Sequence, residues 1–451
     1  MRIVIVGDGK VGHTLMKQLS QEGHDIVIID KNMEVVEKSL NTYDIMAIRG
    51  NGASYHVLKQ AEVDEADMII AATSSDEINM LSCLIAKKLG TKRTVARVRN
   101  PEYSEQLFIM REELGLNMSI NPEYTAAKEM SRVLRFPSAQ KIETFSRGRV
   151  ELIQISVEKD SSLDGQPLST IASIFKSKIL ICAIERSDEV IIPSGNVTLQ
   201  AGDEIYLTAS NEQITKFVKN AGLMKDKIKT VMIIGGGRIS YYLSKMLEDV
   251  GSEVKLIEKD YDRAKYLSEE LAGSMIIHGD GTNHELLLEE GIDDVDSFVA
   301  LTGNDEENII VSMFASKYNI EKVITKVNNL DLANLLNESL IDTVVSPRYL
   351  TASQIIQYVR ALQNSMGSNV QTLHRIISDQ VEALEFTVKV KHDFLSIKLK
   401  DLALKDNLLI SCIIRDNKTI IPAGDDTIEF NDNVIVVTTI PYLRDLKDIV
   451  K

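Results

Sequence analysis

The feature that most constrains this chain is that it states one pattern twice: the second half repeats the first at an offset of about 228 residues. The run Ile3-Val4-Ile5-Val6-Gly7-Asp8-Gly9 returns as Val231-Met232-Ile233-Ile234-Gly235-Gly236-Gly237, and Ile28-Ile29-Asp30 returns as Leu256-Ile257-Glu258. After one inserted residue, Gly50-Asn51-Gly52 falls on Gly279-Asp280-Gly281, and Thr73, Asp76, Glu77 and Asn79 fall on Thr302, Asp305, Glu306 and Asn308. Near the unit ends Pro193-Ser194-Gly195 matches Pro422-Ala423-Gly424, and Asp203 matches Asp432. Whatever the unit is, it must fold and bury a core twice. The 451 residues therefore hold two units, each still larger than one ordinary domain of about 100 to 150 residues.

Each unit divides in turn. Its first part alternates short apolar strands with amphipathic helical stretches, whereas its last part shows only strand-like alternation and turns. In the first unit the strands read about 2–6, 26–30, 45–48, 67–72 and 94–98, with helices such as 10–21, 33–40 and 76–89 between them. That βαβ rhythm, with right-handed crossovers, predicts a doubly wound parallel sheet of the Rossmann kind. Residues 121–136 and 346–362 open on Asn121-Pro122 and Ser346-Pro347, a capping residue before proline at the first helical position, and predict linking helices. The tails begin with Val150 to Val157 and with Glu382 to Val390, each followed by a hairpin, around Ser187-Asp188 and Asp416-Asn417. The fold expected is thus α/β: two tandem Rossmann-like domains, 1–120 and 228–345, linking helices 121–139 and 346–366, and small β-rich α+β domains, 140–224 and 367–451.

Composition excludes several classes of function. A formal charge of −15 without a compact basic patch argues against nucleic acid or an anionic lipid surface as the main partner. The three cysteines, Cys83, Cys182 and Cys412, have no C-x-x-C spacing, so neither a disulfide framework nor a zinc site is indicated. No apolar run approaches the roughly 18 residues that cross a bilayer, and Met1 leads straight into the strand Arg2 to Val6. A soluble cytoplasmic protein is expected, whose work at a membrane would need a partner.

The chemistry concentrates at the first strand-to-helix turn. Gly7-x-Gly9-x-x-Gly12 stands between an apolar strand and a helix, where glycines permit a tight turn and let backbone N–H groups approach a pyrophosphate. Asp30 closes the second strand 23 residues after Gly7, the place of an acid that accepts hydrogen bonds from an adenosine ribose. The structural alternative is a sheet whose glycines only turn the chain. In the second unit Gly235, Gly236 and Gly237 are followed by Ser240 in place of the third glycine, while Glu258 keeps the acid at the same spacing. Asn51 and Gly52, with Asp280 as a counterpart, lie where such a sheet presents side chains to an adenine ring, although a plain turn explains the glycines equally well. Ser74-x-x-Glu77 and Asn304-x-x-Glu307 read as capping boxes. Arg97 and Arg99 follow the fifth strand, where a guanidinium can pair with phosphate oxygens, and their counterparts are Lys326 and Asn328.

No histidine pair has metal-ligand spacing, and most of the seven histidines are expected at the surface. Met80 and Met130 read as helix packing, and no nucleophile elbow, P-loop or H-E-x-x-H motif is present. The rival to a sensor is an NAD-dependent oxidoreductase, since the glycine fingerprint is shared. Against it, each tail is short for a substrate domain, and no His, Lys or Tyr stands in both units as an obvious proton donor.

The order of parts resembles the RCK, or KTN, family, the regulators of K⁺ conductance. The motifs that carry the likeness are Gly7-Asp8-Gly9-Lys10-Val11-Gly12, Asp30, Gly50-Asn51-Gly52, Ala71-Ala72-Thr73, Arg97-Val98-Arg99, then Pro193-Ser194-Gly195 and Ala201-Gly202-Asp203, all repeated over the whole chain. The resemblance implies NAD(H), and in some members ATP or ADP, at a site formed by Gly7, Asp8, Gly9, Lys10, Val11, Gly12, Asp30, Asn51, Gly52, Thr73 and Arg97. In the second unit it implies Gly235, Gly236, Gly237, Glu258 and Asp280. It further implies a homo-oligomer, a dimer or tetramer forming a ring on the cytoplasmic face of the membrane. Its partner is then a separate Trk-type membrane subunit through which potassium passes. Ser240 and Asn328 depart from the pattern, which leaves equal occupancy of the two halves open.

Overall fold

The computed structural model describes residues 1–103, 106, 113–135, 141–146, 149–187, 189–193, 195–223, 228–318, 320–329, 332, 342–365, 370–377, 380–416, 418–440, 443 and 445–451. In the first half β1 (Arg2–Val6), α1 (Lys10–Gln21), β2 (Asp25–Asp30), α2 (Met33–Thr42), β3 (Met46–Arg49), α3 (Tyr55–Gln60), β4 (Met68–Ala71), α4 (Asp76–Leu89), β5 (Arg93–Arg97) and β6 (Met118–Ile120) build a six-stranded sheet of order β3-β2-β1-β4-β5-β6. Every ladder in it is parallel. The strands carry unbroken apolar runs because both faces are covered, as parallel sheets require; Val4, Ile5, Val27, Ile28, Ile69 and Ile70 are all buried.

Helix α5 (Pro122–Arg135) then leads into β7 (Lys141–Phe145), β8 (Val150–Ser156), α6 (Leu168–Ile174), β9 (Leu180–Arg186), β10 (Glu189–Ile191), β11 (Glu204–Ala209) and α7 (Asn211–Asn220). These strands form an antiparallel sheet of order β10-β9-β11-β8-β7. One face packs against α6 and α7 around Ile153, Ile155, Ile171, Phe175, Ile205 and Phe217.

The second half repeats both parts. Strands β12 (Thr230–Ile234), β13 (Glu253–Glu258), β14 (Ser274–His278), β15 (Ser297–Ala300), β16 (Lys322–Lys326) and β17 (Thr343–Val345) give a parallel sheet of order β14-β13-β12-β15-β16-β17. Its helices are α8 (Arg238–Glu248), α9 (Tyr261–Glu270), α10 (His284–Glu289) and α11 (Asp305–Ala315), and α12 (Pro347–Ser365) leaves it. Strands β18 (Val370–Ile376), β19 (Val381–Thr387), β20 (Leu408–Arg415), β21 (Lys418–Ile420) and β22 (Asn433–Thr438) form the second antiparallel sheet, with the pairing order of the first.

The chain does not group half by half. One compact unit joins the two parallel-sheet domains, residues 1–131 and 228–356, and the other joins the two antiparallel domains, 132–227 and 357–451. Within the second unit the reason is visible: Phe145, Val150, Leu152, Cys182 and Tyr206 share one buried cluster with Ile376, Val381, Ala383, Cys412, Ile435 and Val437. Because side chains alternate along a strand, each small sheet buries one face on its own helices or loops and the other on its twin. Ser146 reinforces the seam, its backbone N–H donating to Glu385 Oε2 at 3.1 Å and its hydroxyl to Glu385 Oε1.

Some expectations need amendment. The sixth strands β6 and β17 and the short helices α3 and α10 are additions to the expected elements. The cap of α4 is Ser75, not Ser74: Ser75 Oγ accepts from Ile78 N at 3.2 Å. Asn304 does cap α11, but Glu307 turns to Thr302 Oγ1 at 3.2 Å instead of closing a box. His24 is buried while His56, His278 and His284 are exposed, and the side chain of His374 lies outside the described residues. Arg186 pairs with Glu189 and Arg415 with Lys418 at the expected hairpins, whose Asp188 and Asn417, like Ser194, lie outside the described residues.

Candidate functional site

The carboxyl ends of β1 and β12 are the places where a doubly wound sheet offers a crevice, because the flanking crossovers run to opposite faces there. Gly7 turns the chain at φ +95°, and a Cβ would stand 2.9 Å from Thr73 Cα; Gly235 repeats this at φ +89°, with Leu301 O 2.8 Å away. Gly12 is required by a different contact, since its Cβ would lie 1.9 Å from Gly7 O. In the second half that place holds Ser240, whose hydroxyl donates to Gly235 O, so the substitution turns a close approach into a hydrogen bond.

Gly9 and Gly237 stand apart from these. Their backbones are extended, φ −74° and −68°, conformations open to any residue. A Cβ at either position meets no atom within 4 Å. Neither backbone strain nor packing within the chain accounts for glycine there, in either half.

Each of these glycines is the N-cap of the helix that follows, and α1 and α8 have no capping side chain and no acid in their first turn. Elsewhere in the same compact unit the short α3 is likewise uncapped, at Ser54, but the longer helices have their caps supplied. Asn32, Ser75, Asp260 and Asn304 cap α2, α4, α9 and α11 with acids in every first turn, and Asn121 Oδ1 accepts from Tyr124 N at 2.9 Å in α5. A helix start leaves free N–H donors and partial positive charge; at α1 and α8 the first-turn residues are the cations Lys10 and Arg238, and Lys10 is exposed.

The acids sit as the spacing predicts. Asp30 Oδ2 accepts from Asp8 N and Oδ1 from Asn32 N, both at 2.8 Å, so it already braces the loop. Glu258 does the same, taking Gly236 N at 2.5 Å and Asp260 N at 2.7 Å. A carboxylate has about four acceptor positions, so each acid keeps capacity for a further donor. Asp8 is placed otherwise than its loop position suggests. Its carboxylate is buried, accepting from the Ser39 hydroxyl of α2 and lying 3.2 Å from His13 Nδ1 of α1, which leaves only its backbone at the loop. Val11, in the first turn of α1, is buried.

At the rim, Asn51 Oδ1 accepts from Ala53 N at 3.0 Å, while Asp280 Oδ1 takes both Thr282 N at 2.9 Å and Thr282 Oγ1 at 2.7 Å. Those bonds from Thr282 hold the Asp280 carboxyl below its usual range. Gly52 admits no Cβ, which would come 2.0 Å from Val6 Cγ1.

On the other side of the crevice, buried Asn79 ties β4 to β5: its Oδ1 accepts from Thr73 N at 2.8 Å and its Nδ2 donates to Arg97 O at 2.8 Å. Asn308 repeats this between Thr302 N and Lys326 O, at 2.8 and 3.0 Å. The repeated asparagine was visible in the sequence, but nothing there pointed to its bridging role. Arg97 Nη1 donates to Thr73 O at 3.2 Å, its Nε is buried without a partner, and burial pushes its pKa down. Lys326, likewise lowered by burial, donates to Thr302 O. Arg99 is committed elsewhere, to Ser74 O and to Asp76 at 3.6 Å, so only Arg97 of the expected pair bonds to Thr73. Asn328 Nδ2 takes over the bond to the equivalent acid, Asp305, at 3.0 Å.

The two parallel-sheet domains touch within this unit through their linking helices. Arg348, at the start of α12, donates from Nε to Thr14 Oγ1 on α1 at 2.6 Å. Asn121, before α5, donates to the Tyr242 hydroxyl on α8 at 3.0 Å, and Tyr124 meets the Tyr242 ring edge-on at 5.4 Å. Glu123, equivalent in the repeat to Arg348, acts electrostatically on both Arg97 and Lys326. Sequence reasoning missed these cross-contacts, which join residues more than a hundred positions apart. Among the described residues no cluster of His, Cys, Asp or Glu could hold a metal, and no helix is long and apolar enough to cross a membrane.

Comparison with known proteins gives a consistent result. The family described as TrkA-N domain matches residues 3–122 and 231–347, and the TrkA-C domain matches 152–222 and 383–451. The chain is 34% identical over 451 residues to a Trk system potassium uptake protein TrkA homolog of Archaeoglobus fulgidus, covering 100% of both. It is 31% identical over 440 residues to the Trk system potassium uptake protein TrkA of Vibrio alginolyticus, covering 97% of this chain and 95% of that one. Among solved structures, the GsuK channel bound to NAD superposes with a TM-score of 0.64 at 18% identity over 97% of this chain and 76% of that chain. The GsuK RCK domain gives 0.64 at 18% identity, over 97% and 92%. At such identity these structures speak for the fold.

Proposed function

This chain belongs to the TrkA family of potassium uptake proteins, and from its paired glycine loops we propose that it senses nucleotides for a separate membrane pore. It is a regulatory subunit of potassium transport and not an enzyme, in keeping with its full-length relatives. The observation that carries the sensing role is the vacancy beside Gly9 and Gly237: glycine is kept where the chain's own packing does not demand it, at the start of an uncapped helix. An anion satisfies both conditions, since it needs the room and uses the free first-turn donors.

The loop and its flanking residues support the reading of a dinucleotide site. With Gly7 and Asp8 shaping the loop through their own bonds to Ile29 O and Asp30, backbone N–H groups along Gly9, Lys10, Val11 and Gly12 would hold the pyrophosphate, with Asp30 on a ribose and Asn51 and Gly52 at the base. Thr73 and Arg97 would meet the opposite end. In the second half Gly235 and Gly236 would shape the loop, the N–H groups from Gly237 onward would take phosphate, Glu258 a ribose and Asp280 the base, with Ser240 closing the loop by its own hydrogen bond. NAD(H) is the ligand we propose first, and ATP or ADP second.

Regulation follows from differential binding. A nucleotide shifts a two-state equilibrium only by its difference in affinity, about 5.5 kcal/mol for a swing from 1:99 to 99:1, and two sites per chain divide that demand. The grip of α12 on α1 and of α5 on α8 gives each loop a route to a linking helix. In this reading the chain assembles as a ring-forming homo-oligomer, dimeric or tetrameric, held at the inner face of the membrane by its pore partner.

The test is calorimetric titration of the full chain with NADH, NAD⁺, ATP and ADP, beside the variant Gly237→Asp. We expect the wild type to bind, and the variant to lose the component belonging to the second loop. Absence of binding to all four nucleotides would overturn the reading.

A further inference from the structure

The groove that starts at Gly235 ends differently from the one that starts at Gly7. Glu258, the last residue of β13, is in register with His278, the last residue of β14, so the two side chains are neighbours on the carboxyl edge of the sheet. Three residues beyond Glu258 stands Tyr261, a large ring 65% exposed to solvent. It is not loose: the His278 ring meets it edge-on at 5.4 Å and 81°, and His278 Nε2 lies 3.2 Å from Lys259 O. Asp280 follows His278 by two residues and is within electrostatic reach of Lys259, on the same rim. Its Oδ1 is engaged by Thr282.

In the first half the matching places are Met33 and Arg49, the latter in register with Asp30. The ribose acid there has a thioether and a guanidinium beside it, with no aromatic ring at either position. Exposed aromatic rings fixed by a neighbour give a nucleobase a flat surface, and stacking on such a ring contributes about 1 to 3 kcal/mol per base. A carboxylate accepts hydrogen bonds and cannot donate them, so beside that surface it favours a base edge bearing an amine.

We propose that Tyr261 and His278, with Asp280, form the base-reading end of the second groove and make it selective for an adenine nucleotide. This rests on the reading of Gly237 as a phosphate position. The second groove holds its ligand largely by the base, so a mononucleotide is enough to fill it. The first groove lacks that surface and draws its affinity from the phosphate loop and from contacts along the remainder of a longer ligand. The halves thus answer different adenine nucleotides although both phosphate loops share the positive-φ glycine and the open glycine at the helix start.

The experiment uses the full chain with its first loop blocked by Gly9→Asp, titrated calorimetrically with ADP and with inosine diphosphate, which carries a carbonyl where ADP carries the 6-amine. Adding Tyr261→Ala should weaken ADP about tenfold, while Tyr261→Phe, which keeps the ring, stays within about twofold of its parent. Inosine diphosphate should bind the parent at least about fivefold more weakly than ADP, as expected for one lost base-edge hydrogen bond. Equal ADP binding by the Tyr261→Ala protein, or equal binding of the two diphosphates, overturns the proposal while leaving the phosphate reading intact. If the Gly9→Asp parent binds no nucleotide, the phosphate reading of the second loop fails first and the proposal with it.

Discussion

Replacing Gly9 with aspartate should separate folding from binding, because the two respond with opposite signs. In the ligand-free protein the new side chain enters open space and takes an N-cap conformation of φ −74°, ψ −170° that suits a capping carboxylate. Aspartate at an N-cap is worth a few tenths of a kcal/mol over glycine, and its charge adds about 0.3 to 1 kcal/mol at a helix start. The ligand-free melting temperature should therefore hold or rise by about 2 °C, given about 2 to 4 °C per kcal/mol for a unit of this size. A phosphate at the same helix start would meet that carboxylate at roughly 4 Å. At an effective dielectric constant near 20 this costs about 4 kcal/mol, close to a thousandfold in affinity. Thermal scans with and without nucleotide read both effects: at a hundred times Kd each occupied site adds about 2.7 kcal/mol. Gly9→Asp should lose the share of the first loop, and combination with Gly237→Asp should abolish the ligand-induced shift. A ligand-free melting temperature lowered by more than about 5 °C would mean that the fold demands Gly9. An undiminished shift in the double variant would mean that no anion sits there.

Two further predictions concern the small domains. Arg186 clamps the fully buried Asp203 with two bonds of 2.7 Å, so Arg186→Met should cost about 3 to 5 kcal/mol by leaving a buried carboxylate without its counter-ion. Urea unfolding of the full chain measures this, and a loss under about 1 kcal/mol would refute it. Burial raises the pKa of Glu151 above 4.5, and its Oε2 has no partner, so in the folded state it holds its proton more tightly than in the unfolded chain. Stability then falls as pH rises from 4.5 through that raised value. Glu151→Gln should therefore raise the melting temperature at pH 7 with a gain that fades toward pH 4; an equal gain at both would exclude titration as the cause.

The parallel sheets were legible because strands buried on both faces read as unbroken apolar runs, and because the repeat let each element be identified twice. Strands β6 and β17 escaped since three residues each, such as Met118-Ser119-Ile120, carry no period. The cap of α4 was misplaced by one residue because Ser74 and Ser75 are equivalent in propensity and only the chain path chooses between them. Within the glycine loop, the turning roles of Gly7 and Gly12 followed from the motif, whereas the burial of Asp8 depends on Ser39, 31 positions away. Tyr261 and His278 were silent for the same reason: their meeting is set by the register of β13 with β14, not by any local pattern. The joining of like domains across the halves likewise rests on surfaces that face each other only after each sheet has formed.

The cross-grip of the linking helices bears on why two copies share one chain. A pair of identical, separate units related by a twofold axis must present the same residue at both equivalent places. Here the equivalent places hold Glu123 and Arg348, an acid acting on the cations of both crevices and a base holding the opposite helix. Covalent joining lets the two positions diverge, and it replaces an encounter that depends on dilution by one set by linker length. A duplicated sensor on one polypeptide can thus become a mismatched pair, with each half specialised and neither able to find the wrong partner.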